Sequence, residues 1–131
     1  MANAIVHFEI HASDVTRAKK FYETVFGWEV SQWKDQQYWI IKTGRGTYPS
    51  GESVGVDGGL LLRKGAEPFD GAPANAFVCT IAVENIDAAI EAIKQAGGRI
   101  VEPKSALDDM GWTAGCKDTE GNQFGLIQTN M

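Results

Sequence analysis

Three side chains near the N-terminus have the types and the spacing for chemistry. His7, Glu9 and His11 alternate with Val6, Phe8, Ile10 and Ala12, and a period of two describes a strand with one apolar and one polar face. The three polar side chains then point the same way. Histidine titrates near neutral pH and glutamate supplies charge, so the trio could set an acid–base group and an anion inside a pocket. The alternative is a row of satisfied polar residues with no chemistry. Neighbours at i and i+2 lie about 6.5–7 Å apart along a strand, so His7 and Glu9 are expected to share a substrate or a water rather than bond directly.

The elements that must position them follow from the next residues. Asp14 suits an N-cap, Val15, Ala18, Phe21, Tyr22, Val25 and Phe26 fall at helical spacing, and Gly27 stops the helix. This strand–helix–strand stretch, Ile5–Val30, lies on Ala76–Val101 without a gap at a constant offset of 71 residues, His7 falling on Val78. In the second copy Asn85 caps, Ile86, Ala89, Ile90, Ile93 and Ala96 form the stripe, and Gly97–Gly98 ends it. A repeat of this size points to two copies of one supersecondary unit. After Val30 the sequence predicts a hairpin through Lys42, a glycine-rich loop over 43–55 that lacks a phosphate-binding pattern, and a last strand over 57–62. Past the second copy it predicts a mobile loop over 102–111, then strands 112–117 and 122–128 joined by a tight turn. Each unit reads βαβββ. The chain is expected to form one domain over 1–131, with repeat unit one at 4–63, a proline-bearing linker at 64–75 and repeat unit two at 76–129.

Composition narrows the function classes. A chain of 131 residues with 44% hydrophobic content can bury a core. Its net charge of −5 argues against a nucleic-acid partner, which needs clustered Lys and Arg. No apolar run reaches the ~20 residues that span a bilayer, and the first residues lack a signal-peptide layout, so the expected setting is cytoplasmic, with no membrane partner. Cys79 and Cys116 lack metal-binding or disulfide spacing and read as reduced thiols.

Two βαβββ units in this length resemble the vicinal oxygen chelate superfamily, which includes glyoxalase I, bleomycin-resistance proteins, fosfomycin-resistance enzymes and extradiol dioxygenases. The resemblance is carried by HFEIHASDVTRAKKFYETVFGWEV, by the GGL strand and by DTEGNQFGLIQ, and it covers essentially the whole chain. It implies an α+β fold in which the paired units form a partly open β-barrel, with helices outside and a pocket on the concave side. It also implies a divalent metal held by the first and last strand of each unit, at positions that fall here on His7, Gly59, Val78 and Gly125. Only one of the four carries a donor, where about three are normally needed. No cofactor is therefore expected, the metal set of Glu9 with His7 and His11 being the alternative, and His7 and Glu9 are the candidate catalytic pair.

His7, Glu9, His11, Trp39, Gly59, Val78, Trp112 and Gly125 are the candidate ligand-binding residues, with the glycines enlarging the volume a ligand fills. Trp28, Trp33, Tyr38, Trp39 and Trp112 either line an apolar ligand pocket or serve as core or dimer contacts; the side on which Trp39 and Trp112 stand depends on strand register. Asp108 and Asp109 either attract a cationic ligand or solvate a loop. Two function classes remain: a metal-free binder of a small molecule, as in bleomycin resistance, or an enzyme, a glyoxalase-type lyase or isomerase or a dioxygenase-like activity, using His7 and Glu9. An accessory interaction domain is a third. A homodimer is expected.

Overall fold

The same starts, stops and alternations recur along the chain, and the secondary structure recurs with them. A computed structural model describes residues 5–44, 46–48, 50–74 and 77–129. It divides into two compact units, Met1–Ala66 and Glu67–Met131. The first unit runs β1 (Phe8–Ala12), α1 (Val15–Phe26), β2 (Glu29–Gln32), β3 (Trp39–Lys42), a short pair β4 (Gly46–Thr47) and β5 (Ser53–Val54), then β6 (Gly58–Leu62). The second runs β7 (Thr80–Ala82), α2 (Ile86–Gln95), β8 (Arg99–Ala106), β9 (Gly111–Lys117) and β10 (Gln123–Thr129). Each unit holds a four-stranded sheet, in the order β1-β6-β3-β2 and β7-β10-β9-β8. In both, the first strand pairs parallel to the last, while the remaining pairings are antiparallel. The fold class is α+β.

Local chemistry accounts for the element ends. The Asp14 carboxylate accepts from the Arg17 backbone N–H at 3.0 Å, and the Asn85 side-chain Oδ1 accepts from the Ala88 backbone N–H at 3.0 Å, so both helices begin on a side-chain cap. Gly27 ends α1 in the left-handed region at φ 70°. At the end of α2, Gly97 takes φ 96°, and Gly98 N–H donates back to the Ile93 carbonyl at 2.8 Å, the 6→1 bond of a glycine C-cap.

Two loop expectations are corrected. The glycine-rich segment 43–55 contains the β4–β5 pair, and the segment 102–111 is strand as far as Ala106. Pro103 is tolerated there because β8 is an edge strand and its register against β9 slips on both sides of Glu102, placing the proline in a bulged stretch that owes few ladder bonds. The first strand is also shorter than its alternation implies, and His7 precedes β1 by one residue.

In the first unit, Ala12, Ala18, Val30, Ile41 and Leu60 form the core, with Phe8, Ile10, Val15, Trp28 and Trp39 packed against it. Phe8, Ile10 and Ala12 therefore face α1, and Glu9 and His11 lie on the opposite face. In the second unit, Ile86 and Ile93 of α2 are fully buried, as are Cys116 and Leu126 of the sheet. Residues before β7 are bound to this unit: Arg99 donates to both Asp70 carboxylate oxygens at 2.7 Å, with Lys117 Nζ 3.6 Å away. Those bonds hold the Asp70 carboxyl down at about 2 and raise Arg99. Among the described residues, no helix is long and apolar enough to cross a membrane.

Candidate functional site

The polar face of the first unit is organised by two adjacent glycines in β6. Gly58 stands opposite Phe8 and Gly59 opposite Glu9. A side chain at 58 would meet the Phe8 backbone and ring on the helix side, whereas one at 59 would overlap the Tyr38 hydroxyl and ring on the other. Each glycine thus admits an aromatic ring, on opposite faces of one strand. The volume expected over Gly59 is filled by Tyr38.

Tyr38 is positioned by the turn before β3. Gln36 N–H donates to the Trp33 carbonyl at 3.0 Å and Trp33 N–H to the Tyr38 carbonyl at 2.8 Å, with Lys34 at φ 52° turning the chain. The ring crosses Gly59, and its hydroxyl reaches both members of the candidate pair. It donates to Glu9 Oε2 at 3.0 Å and lies 2.7 Å from His7 Nε2. His7 and Glu9 share a phenol rather than a water. His11 Nε2 stands 3.7 Å from Glu9 Oε1, beyond hydrogen-bond range but within reach of an ion pair when the imidazole is charged.

Partial burial, reinforced by the hydrogen bond to Glu9 and by its charge, pushes the Tyr38 phenol up to about 12. It keeps its proton at any physiological pH. A hydroxyl has a single proton to give, and once that proton is directed at Glu9, the short contact to His7 requires Nε2–H of the imidazole to donate. The lone pair of a neutral His7 is then on Nδ1.

The second unit carries the equivalent row with different side chains. Gly125 stands opposite Thr80 and Gly115, and Gly115 opposite Glu102. Val78 and Gly125, both singled out in the sequence, come together with Val101, Glu102, Gly115 and Gln123 around a hollow of about 160 Å³. Trp39 and Trp112 stand elsewhere. Trp39 pairs with Leu60 and packs on the core of the first unit, away from Glu9. Trp112 has the parity of buried Ala114, opposite to that of Gly115, and it carries Lys104 Nζ 4.4 Å from its ring centroid. Lys104 in turn bonds Asp87 at the start of α2.

The four positions that a divalent metal would use offer one side-chain donor, His7, because Gly59, Val78 and Gly125 have none. The space above Gly59 is occupied by a phenol already bonded to His7 and Glu9. Among the described residues, no three His, Cys, Asp or Glu side chains gather closely enough to hold an ion. This donor set does not fit the metal.

Tyr38, one of the aromatics that could line a pocket, and Glu102 are absent from the residues assigned to the site by sequence. The Gly58–Gly59 pair was the available signal for Tyr38, since a bare strand surface is commonly covered by a neighbouring aromatic. For Glu102 the signal was the repeat itself, which carried one residue further sets it on strand residue Ser31.

Comparison with known proteins places the chain in a family. CFP32 of Mycobacterium tuberculosis (strain CDC 1551 / Oshkosh), a glyoxylase by name, is 28% identical over 125 residues. That match covers 93% of this chain but 44% of the relative, so the chain spans less than half the length of the curated protein it matches. FosX of Listeria monocytogenes, a genomically encoded fosfomycin resistance protein solved as a mutant with Mn(II) and 1S,2S-dihydroxypropylphosphonic acid, superposes with a TM-score of 0.70 at 15% identity. The superposition covers 97% of this chain and 90% of that one. A glyoxalase-related enzyme from Fulvimarina pelagi gives 0.68 at 13% identity, over 98% and 89% of the two chains. The family model for the Glyoxalase/Bleomycin resistance protein/Dioxygenase superfamily matches residues 4–126, and the chain belongs to that superfamily.

Proposed function

We propose that the protein binds a small organic molecule against the polar face of its first unit, over His7, Tyr38, Glu9 and His11, without a divalent metal. The observation that carries this reading is the His7–Tyr38–Glu9 bridge laid across Gly59. Where a metal-binding relative needs a donor, this chain has a glycine covered by a phenol. A ligand with two hydrogen-bond donors would meet the Glu9 carboxylate and the His7 Nδ1 lone pair on a surface already ordered by the bridge, which lowers the entropy lost on binding.

The test is metal analysis of protein purified without chelators, joined to native mass spectrometry. The expected result is no stoichiometric metal and a retained or exchangeable organic ligand that is lost in His7→Ala and Glu9→Ala. Near-equimolar nickel, zinc, iron or manganese that disappears in His7→Ala would overturn it. A second reading, an enzyme of lyase or isomerase type, draws on the same bridge, because a His7 tautomer fixed with Nδ1 open is suited to accept a proton. Turnover of a glutathione hemithioacetal, following the titration of one imidazole and abolished in His7→Ala, would support it; no turnover in the metal-free protein would remove it. The reading extends to a homodimer in a reducing, cytoplasmic setting. Exposed Phe69, Phe77 and Leu62 supply apolar surface for self-association, and a monomer in sedimentation at tens of micromolar would count against the dimer.

A further inference from the structure

The helix-free face of the second unit contains a hollow whose floor and wall come from one irregularity. Ile100 pairs with Cys116 and Glu102 with Gly115, so Val101 is an extra residue on β8. A bulge of this kind brings two successive side chains toward the same face. Val101 and Glu102 both line the hollow, Val78 lies across from them, and the floor is the cross-strand pair Gly115 and Gly125, with Gln123 at the rim. Gly115 has no side chain, so Glu102 lies flat on it: its Cβ, Cγ and Cδ are 2.9, 3.1 and 3.2 Å from where a Cβ of residue 115 would stand.

Glu102 makes no hydrogen bond or ion pair among the described residues, and no Lys or Arg lines the hollow. Three exposed carboxylates of this unit are matched, Asp70 with Arg99, Asp87 with Lys104 and Glu91 with Lys94; of the carboxylates, Glu102 is the one that lines the hollow. The Glu102 carboxylate is thus held against a glycine floor, in a hollow whose other walls are the apolar Val78 and Val101.

We infer that this hollow binds a small organic monocation, a primary ammonium on a short apolar body, with the ammonium at Glu102 and the body between Val78 and Val101. A hollow of about 160 Å³ has room for about five water-sized groups, the size of a butyl chain with its ammonium. Three ammonium hydrogens suit the Glu102 oxygens and the Gln123 carbonyl oxygen. A divalent ion is not matched by a single carboxylate, and an anion would face Glu102 directly.

The test uses the full chain, with backbone amide shifts followed by NMR during titration with n-butylammonium, butan-1-ol and butanoate at constant ionic strength. Butylammonium is expected to move the Gly115 and Gly125 signals saturably. Glu102→Gln, an exposed and near-isosteric change that preserves folding, is expected to weaken it about fivefold or more through loss of the charge-assisted bond. Glu29→Gln on the first unit is expected to leave it unchanged. Equal binding of butan-1-ol, or of butylammonium to the Glu102→Gln protein, would overturn the proposal. Shifts confined to His7, Glu9 and Tyr38 would also overturn it, and would instead assign the cation to the first unit's site.

Discussion

Gly59→Ala should reverse its sign of effect according to what stands at residue 38. Gly59 is buried in a strand flanked on both sides, and its φ lies outside the left-handed region, so alanine is acceptable to the backbone. In an open strand that exchange stabilises by roughly 0.5–1 kcal/mol, because glycine loses more freedom on folding. Here the added methyl overlaps the Tyr38 hydroxyl and ring. The ring must swing away, giving up its bonds to Glu9 and His7. Each such bond contributes about 0.5–1.5 kcal/mol net, toward the low end because water can replace it at this exposed face. The loss of about 1–2 kcal/mol outweighs the backbone gain, leaving Gly59→Ala destabilised by roughly 0.5–1 kcal/mol. In a Tyr38→Ala background the obstacle is gone, and the same substitution should stabilise. Urea denaturation of the four proteins gives the coupling energy, expected at about 1–2 kcal/mol. A stabilising Gly59→Ala in both backgrounds would show that Tyr38 does not lie across residue 59.

Three further outcomes follow from the packing and the ionisation. Leu60→Ala, one residue along the same strand but on the core face and fully buried, should cost about 2–5 kcal/mol in urea denaturation as a cavity. The Tyr38 phenol, raised from 10.0 to about 12 in the folded state, is bound to its proton more tightly when folded. Its contribution to stability is therefore complete below pH 10 and is lost as pH rises toward 12. Tyrosinate absorbance should show a late-titrating component that Tyr38→Phe diminishes. Cys79 is exposed, whereas Cys116 is fully buried and pushed up to about 11 by that burial, so a thiol reagent should modify one cysteine of the native protein rapidly and the second only on unfolding.

What the sequence revealed, and what it hid, can be traced to the range of the interactions involved. Alternation over Val6–Ala12 and the stripe beginning at Val15 are local, and both the helix-facing side of β1 and the polar face of Glu9 and His11 agree with them. The helix caps at Asp14 and Asn85 are local too. The role of Tyr38 depends on a contact between residues 21 positions apart in the chain, 38 and 59, and on a register that alternation alone does not supply. The same gap left the sides of Trp39 and Trp112 open. The segment after Val101 departs from its sequence pattern for a different reason. Pro103 is a strong local breaker, but an edge strand with bulges has few hydrogen bonds for it to break.

The internal repeat explains why one fold can carry two different polar rows. Across the first sheet the row Ser31, Ile40, Gly59 and Glu9 occupies one line of paired positions; across the second, Glu102, Gly115, Gly125 and Thr80 occupy the same line. Glycine is kept where the last strand meets the first, at 59 and 125, but the carboxylate has moved from one edge of the sheet to the other. In the first unit it stands on β1, and Tyr38 crosses the glycine to reach it. In the second it stands on β8, a glycine replaces Ile40 beneath it, and the floor stays open. A single carboxylate therefore has opposite consequences in the two rows. Glu9 is satisfied by a phenol and holds an ordered surface, whereas Glu102 has no hydrogen-bond or ion-pair partner among the described residues and stands beside a hollow. Exchanging the two rows' central residues tests that logic directly. Gly115→Ile should fill the hollow and displace Glu102, abolishing butylammonium shifts at Gly125, while the His7–Tyr38–Glu9 bridge keeps its late-titrating phenol. Retained butylammonium binding in Gly115→Ile would mean that the hollow is not where the cation sits.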